Sequence, residues 1–96
     1  MNPWKPISDP LSLKQLGKLG EESGELCSVV SRCIIQGVDQ SEPVTGKPNK
    51  VWLEEEIADV LASINRVIVG QKLDLEFIMS RAAVKGDKLI LWENML

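Results

Sequence analysis

Apolar residues recur every three to four positions along most of this chain, which is the rhythm of amphipathic helices. The first run predicts a helix over about 11–36, with Gly37 as its C-terminal cap. The second predicts a helix over 51–69 that ends at Gly70, and the third predicts one over 75–92. Since no stretch of useful length alternates as a strand does, the expected fold class is all-α, a small antiparallel helical bundle.

Proline and glycine mark the segments outside these helices. Three prolines among residues 1–10 predict an irregular arm. Residues 37–50 contain two glycines and two prolines and show no periodicity, so they predict a loop between the first two helices. A loop of this length in so small a domain is more often functional than idle. The whole chain, 1–96, is expected to form one domain.

Size and composition restrict the classes of function. A chain of 96 residues with three Trp, one Phe and no Tyr builds a modest core, so we expect a homo-oligomer. The net charge of −3, without a basic block, argues against a nucleic-acid polymer as partner. No stretch approaches the roughly 20 apolar residues of a membrane span, and the N-terminus lacks the apolar run of a signal peptide. We therefore expect a soluble, cytoplasmic protein without a membrane partner.

Carboxylates lie within or beside the apolar stripes of the first two helices. In projection at about 100° per residue, Glu22 falls inside the stripe of the first helix and Glu25 at its edge. Glu56 and Asp59 share one flank of the second stripe. A charge placed in this way is unfavourable unless something neutralises it. Two helices packed through their stripes would bring these four carboxylates together.

Convergent carboxylates suit a hard, oxygen-loving cation. The protein contains no histidine, the commonest nitrogen ligand, so Mg²⁺ is the expected ion, with Mn²⁺ as a substitute. A carboxylate-bridged di-iron bundle requires Glu-x-x-His pairs and is excluded because the chain has no histidine. The alternative is a solvated acidic face near the start of the first helix, where the helix dipole favours negative charge.

The two acidic motifs together resemble the EExxE…ExxD signature of the MazG-like, all-α nucleoside triphosphate pyrophosphohydrolases. The first motif lies in KLGEESGEL at 18–26, and the second lies in EEIADVL at 55–61. The resemblance covers about residues 12–92. It implies hydrolysis of a (deoxy)nucleoside triphosphate to the monophosphate and pyrophosphate, by a homodimer or a dimer of dimers.

The resemblance also implies roles for individual carboxylates. Glu22, Glu25, Glu56 and Asp59 would bind the metal, and Glu22 is counted among the catalytic residues with Glu21. Glu21 would be an accessory carboxylate that either supports the ligands or accepts a proton from the attacking water. In such a site the ions offset the charge of the phosphate chain and lower the pKa of a bound water, which attacks the α-phosphorus.

Basic and aromatic residues near the motifs are candidates for substrate contacts. Lys18 and Arg32 are close in sequence to the first motif. Trp52 shares the flank of Glu56 and Asp59, where it either stacks on a nucleobase or packs as a partly buried residue. The third helix matches the family's cationic group only loosely, and a solvated basic face would show the same spacing. Its candidates are Arg81, Lys85 and Lys88.

The long interval between the motifs, the related families and other classes of protein leave further functions open. The interval between the motifs, 26–55, is 30 residues, which is long for the family and suggests that the loop reshapes the base pocket or contacts a neighbouring subunit. Related all-α families that cleave dUTP, dUDP or phosphoribosyl-ATP share the same carboxylate arrangement. The alternatives from other classes are a non-catalytic helical module that binds a partner and a plain structural helical dimer.

Overall fold

The computed structural model describes residues 2–95, which form three helices. They are α1 (Pro10–Gln36), α2 (Asn49–Gly70) and α3 (Leu75–Glu93). The all-α class and all three predicted helices are confirmed, and no strand forms within the described range. None of these helices is both long and apolar enough to cross a membrane.

Short polar residues and glycine define the helix ends. Asp9 and Asp74 cap α1 and α3, because each carboxylate accepts the backbone N–H three residues later, at 2.9 and 3.0 Å. Pro10 takes the first position of α1, where no backbone N–H is needed. Gly37 ends α1 with a φ of 99°, a region that side-chain-bearing residues rarely adopt.

The loop between α1 and α2 is ordered by its own polar groups and spans 37–48. It is shorter than predicted because Pro48 adopts the extended conformation that precedes a helix, and α2 begins at Asn49. The Glu42 carboxylate accepts the backbone N–H and the hydroxyl of Thr45, both at 2.7 Å. This turn fixes the path of the chain toward the start of α2.

α1 and α2 pack against each other in antiparallel orientation. At one end Gln71 donates a hydrogen bond to the Ser12 hydroxyl at 2.8 Å, and at the other end fully buried Asn49 donates to Gln36 at 3.1 Å. The buried apolar residues of the structure are Val29, Cys33 and Val67. So small a core leaves this helical pair with most of its apolar surface uncovered.

α3 has almost no partner within its own chain. Among the described helices it makes marginal contact with one neighbour, and none of its residues is buried within the described part of the chain. Its exposed large apolar residues are Leu75, Phe77, Met79, Val84, Leu89, Ile90, Leu91 and Trp92. The two-helix hairpin is therefore consistent with a helical bundle that one chain does not complete.

The exposed surface area of the chain is large for its mass. The chain exposes 7842 Å², whereas a folded monomer of 10.6 kDa exposes about 5,500 Å². Its radius of gyration is 17.2 Å, against about 12.5 Å for a compact chain of this length. The excess of about 2,300 Å² lies in the range that one subunit of an obligate dimer buries.

Candidate metal centre

Three carboxylates from two helices converge at the edge of the α1–α2 seam. One oxygen from each of Glu22, Glu56 and Asp59 lies within 4.8 Å of the other two. Glu56 and Asp59 are three residues apart, so they project from neighbouring turns of one face of α2. Antiparallel packing places this face opposite Glu22 on α1 and so brings the two acidic motifs together.

Two of these carboxylates contain oxygens that are shielded from solvent and lack a donor. Oε2 of Glu22 and Oε2 of Glu56 have no hydrogen-bond partner among residues 2–95. The Glu22 side chain as a whole is only 12% exposed. Lys18 Nζ lies 3.6 Å from the other Glu22 oxygen, Oε1, and offsets part of the charge. A shielded acceptor without a donor is unfavourable, and a bound cation removes that deficit.

The electrostatics of Glu22 reflect both its burial and its neighbours. Desolvation raises the pKa of Glu22 above its ordinary value of 4.5, and repulsion from Glu25 and Asp59 raises it further. The Lys18 ammonium group acts in the opposite direction. The ionised form of Glu22 is thus less favoured in the protein without metal than it is in water, and a nearby divalent cation would favour it.

The donor set matches the chemistry of a hard divalent cation. All three donors are carboxylate oxygens, the ligand type that Mg²⁺ prefers at about 2.0–2.1 Å. Oxygens that share one octahedral ion lie about 3–4 Å apart, so small side-chain rotations bring this set within coordination distance. Glu22, Glu56 and Asp59 therefore fit a Mg²⁺ site.

The other two carboxylates of the first motif flank this cluster. Glu25 lies close enough to Glu22 for its charge to raise the pKa of Glu22, but it is outside the group of three converging oxygens. The Glu21 side chain is 57% exposed and pairs with Lys18 Nζ at 3.4 Å. Lys18 thereby links Glu21 to the edge of the cluster, since it also contacts Glu22.

A groove of about 330 Å³ begins beside the carboxylates and follows the seam. Its lining residues are Glu25, Ser28, Val29, Arg32, Trp52 and Glu56. Arg32 and Trp52, both predicted from the sequence to contact substrate, thus lie in one concavity with two of the predicted metal ligands.

The cations of α3 lie elsewhere. Arg81, Lys85 and Lys88 share one face of the helix, as their spacing predicts, and with Val84 they line a separate cavity of about 120 Å³. Because α3 makes only marginal contact with α1 and α2, the structure does not bring these cations to the carboxylates of their own chain.

Two residues in or beside the groove were not predicted from the sequence as functional residues. Ser28 lies three residues after Glu25, so helical projection could have identified it. Lys47 has its Nζ 2.6 Å from Glu55 Oε1 and 4.0 Å from the centroid of the Trp52 ring. No periodic signal marks a loop residue, so only the folded path of the loop reveals Lys47.

The raised pKa of Glu22 predicts a pH-dependent stability difference in EDTA. A carboxyl whose folded pKa is raised binds more protons in the folded state, so its ionisation lowers stability as the pH rises above 4.5 through the folded pKa. We expect Glu22→Gln to melt a few degrees higher than the wild type at pH 7 and at the same temperature near pH 4, as followed by circular dichroism.

Glu54→Gln, a change at an exposed position of α2, is the control and should melt with the wild type at both pH values. A Glu22→Gln protein that is less stable than the wild type at pH 7 without metal would contradict the repulsion of Glu22 by Glu25 and Asp59. Added Mg²⁺ should raise the melting temperature of the wild type more than that of Glu22→Gln, because the amide is the poorer ligand.

No protein-family model, no curated protein and no solved structure matches this chain. The resemblance of the two acidic motifs therefore stays a prediction, and the geometry of the carboxylates and the groove is the structural indication of function.

Proposed function

We propose that this protein is a Mg²⁺-dependent nucleoside triphosphate pyrophosphohydrolase, which hydrolyses a (d)NTP to the (d)NMP and pyrophosphate. The observation that carries the proposal is the convergence of Glu22, Glu56 and Asp59 from two helices to within 4.8 Å. Shielded, unpartnered oxygens on two of them support a cation at this point. The MazG-like pattern of the two motifs supports the class of reaction.

Glu22, Glu56 and Asp59 would hold Mg²⁺, or Mn²⁺ in its place, and Glu25 would extend the ligand set toward the groove. When bound, the ion offsets the negative charge of a phosphate chain and makes nearby water more acidic. Lys18 adds a positive charge at the same edge, where it contacts both Glu21 and Glu22.

The proposed reaction is an in-line displacement at the α-phosphorus. The water oxygen forms a bond to that phosphorus, and the bond from the phosphorus to the bridging oxygen breaks. Pyrophosphate leaves with the electron pair, and Glu21 accepts the proton of the water as the accessory carboxylate. The chain contributes mainly position and electrostatics, as is usual in phosphoryl chemistry.

We propose that the active form is a homodimer or a dimer of dimers in which a second copy covers α3. The apolar residues of α3 and the excess surface of about 2,300 Å² support this assembly. In it, Arg81, Lys85 and Lys88 would reach the phosphates bound to a neighbouring chain. This would explain why the structure separates them from the carboxylates of their own chain.

The decisive experiment is to measure pyrophosphate release from the common NTPs and dNTPs with Mg²⁺ and then with excess EDTA. We expect release with the monophosphate as co-product, and we expect EDTA to abolish it. A folded helical protein that releases pyrophosphate from none of these nucleotides would contradict the proposal. That result would favour the non-catalytic module that binds a partner.

A further inference from the structure

Two residues that line the groove carry N–H groups without acceptors. Arg32 Nη1 and Trp52 Nε1 are shielded from solvent and have no hydrogen-bond partner among the described residues. Both residues line the groove that begins at Glu25 and Glu56. An indole N–H and a guanidinium group can only donate, so the ligand that complements them carries acceptors. A ligand of this kind removes the unfavourable free energy of two unsatisfied donors.

These donors lie on one side of the carboxylates. Arg32 is two turns after Glu25 on α1, about 10 Å further along the helix. Trp52 is one turn before Glu56 on α2. Because the helices are antiparallel, Arg32 and Trp52 both lie on the side of the carboxylates where α1 ends and α2 begins. A nucleotide whose phosphates are held at the carboxylates can therefore extend its other end along the groove toward Arg32 and Trp52.

The Trp52 ring lies beside two cationic groups. Lys47 Nζ lies 4.0 Å from the ring centroid and is fixed by its ion pair with Glu55, and Arg32 Cζ lies 5.5 Å from the same centroid. A base that stacks on the ring face covered by Lys47 must displace this ammonium group. The indole N–H, which has no acceptor, is therefore the group of Trp52 that a bound ligand would satisfy.

We propose that Arg32 and Trp52 form a two-donor subsite that binds the acceptor edge of the substrate's base and favours guanine over adenine. The inference rests on the proposed function. Guanine presents two adjacent acceptors, N7 and O6, whereas adenine presents N7 beside an amino donor. The apolar walls of Val29 and Trp52 suit a flat base, and under the proposed function the phosphates would be held by the metal at the carboxylates.

The test compares dGTP with dATP by kcat/KM for pyrophosphate release with Mg²⁺. Trp52→Phe removes Nε1–H and retains an aromatic ring, and Arg32→Lys keeps the charge but loses the planar fork. We expect the wild type to prefer dGTP and each variant to reduce the dGTP-to-dATP ratio by about 5- to 150-fold, mainly through KM. Trp4→Phe and Arg66→Lys, at exposed positions outside the groove, are the matched controls and should leave the ratio unchanged.

The outcomes separate this inference from the proposed function. A wild type that hydrolyses dNTPs without preferring dGTP, or variants that leave the ratio unchanged, overturns the subsite alone. An equal loss for both nucleotides, together with weaker inhibition by inorganic triphosphate, assigns Arg32 to the phosphates and also overturns it. If the wild type hydrolyses no nucleotide, the proposed function fails and this inference fails with it. Circular dichroism identifies a variant that does not fold, and the dGTP-to-dATP ratio of the other variant then decides the test.

Discussion

We expect Glu56→Gln to lower kcat for pyrophosphate release by about 100- to 1,000-fold or more, with helical content unchanged. The substitution replaces a charged oxygen ligand by a neutral amide at a site where three carboxylates converge. Glu56 Oε2 is shielded and has no donor among residues 2–95, so a bound cation would be its partner. Several kcal/mol of transition-state stabilisation depend on such an ion, and each 1.4 kcal/mol corresponds to a tenfold change in rate.

Glu54→Gln is the matched control for this prediction. It removes the same charge from the same helix at an exposed position outside the cluster, and it should retain the activity of the wild type. If Glu56→Gln keeps more than about a tenth of the wild-type kcat, the carboxylate cluster is not the catalytic centre. If both variants lose activity equally, the loss reflects net charge rather than a metal ligand.

The second large effect is expected on assembly. Ile90 is 56% exposed on α3, a helix that makes only marginal contact with the rest of its chain. We expect light scattering after size-exclusion chromatography to give the wild type at least twice the 10.6 kDa of one chain. Ile90→Glu should reduce this mass to that of a single chain, because a carboxylate without a partner is costly to bury in an apolar interface.

Val44→Glu is the control for assembly. Val44 is 89% exposed in the loop between α1 and α2, so the same charge there should leave the mass unchanged. If the α3 cations act on a neighbouring chain, Ile90→Glu should lower the rate of pyrophosphate release as well as the molecular mass. A wild type that runs at 10.6 kDa at micromolar concentration would contradict the proposed assembly.

The helices were predictable because their signals are local. Periodic apolar residues and capping residues such as Asp74 and Gly37 act within a few positions of one another. Helical geometry also fixes the azimuth of every side chain, which is why projection placed Glu22 in the apolar stripe with Glu56 and Asp59 on a flank. The antiparallel hairpin then required only that the two stripes face each other.

The place of α3 was not predictable from the same pattern. An amphipathic sequence shows that a helix has apolar residues to bury, but it does not show which surface covers them. Its spacing placed Arg81, Lys85 and Lys88 on one face, whereas their distance from the carboxylates depends on how α3 leaves α2. The position of Lys47 beside Trp52 likewise depends on the turn made by Glu42 and Thr45.

By itself the sequence determined the helical class, the number of helices and the faces on which the carboxylates lie, since these depend on spacing along one helix. The tertiary structure decided that Glu25 stays beside the converging Glu22, Glu56 and Asp59, and that Arg32 and Trp52, whose N–H groups lack acceptors, line one groove. These features require distances between residues far apart in the chain. Such distances follow from the packing of α1 on α2, which no local periodicity encodes.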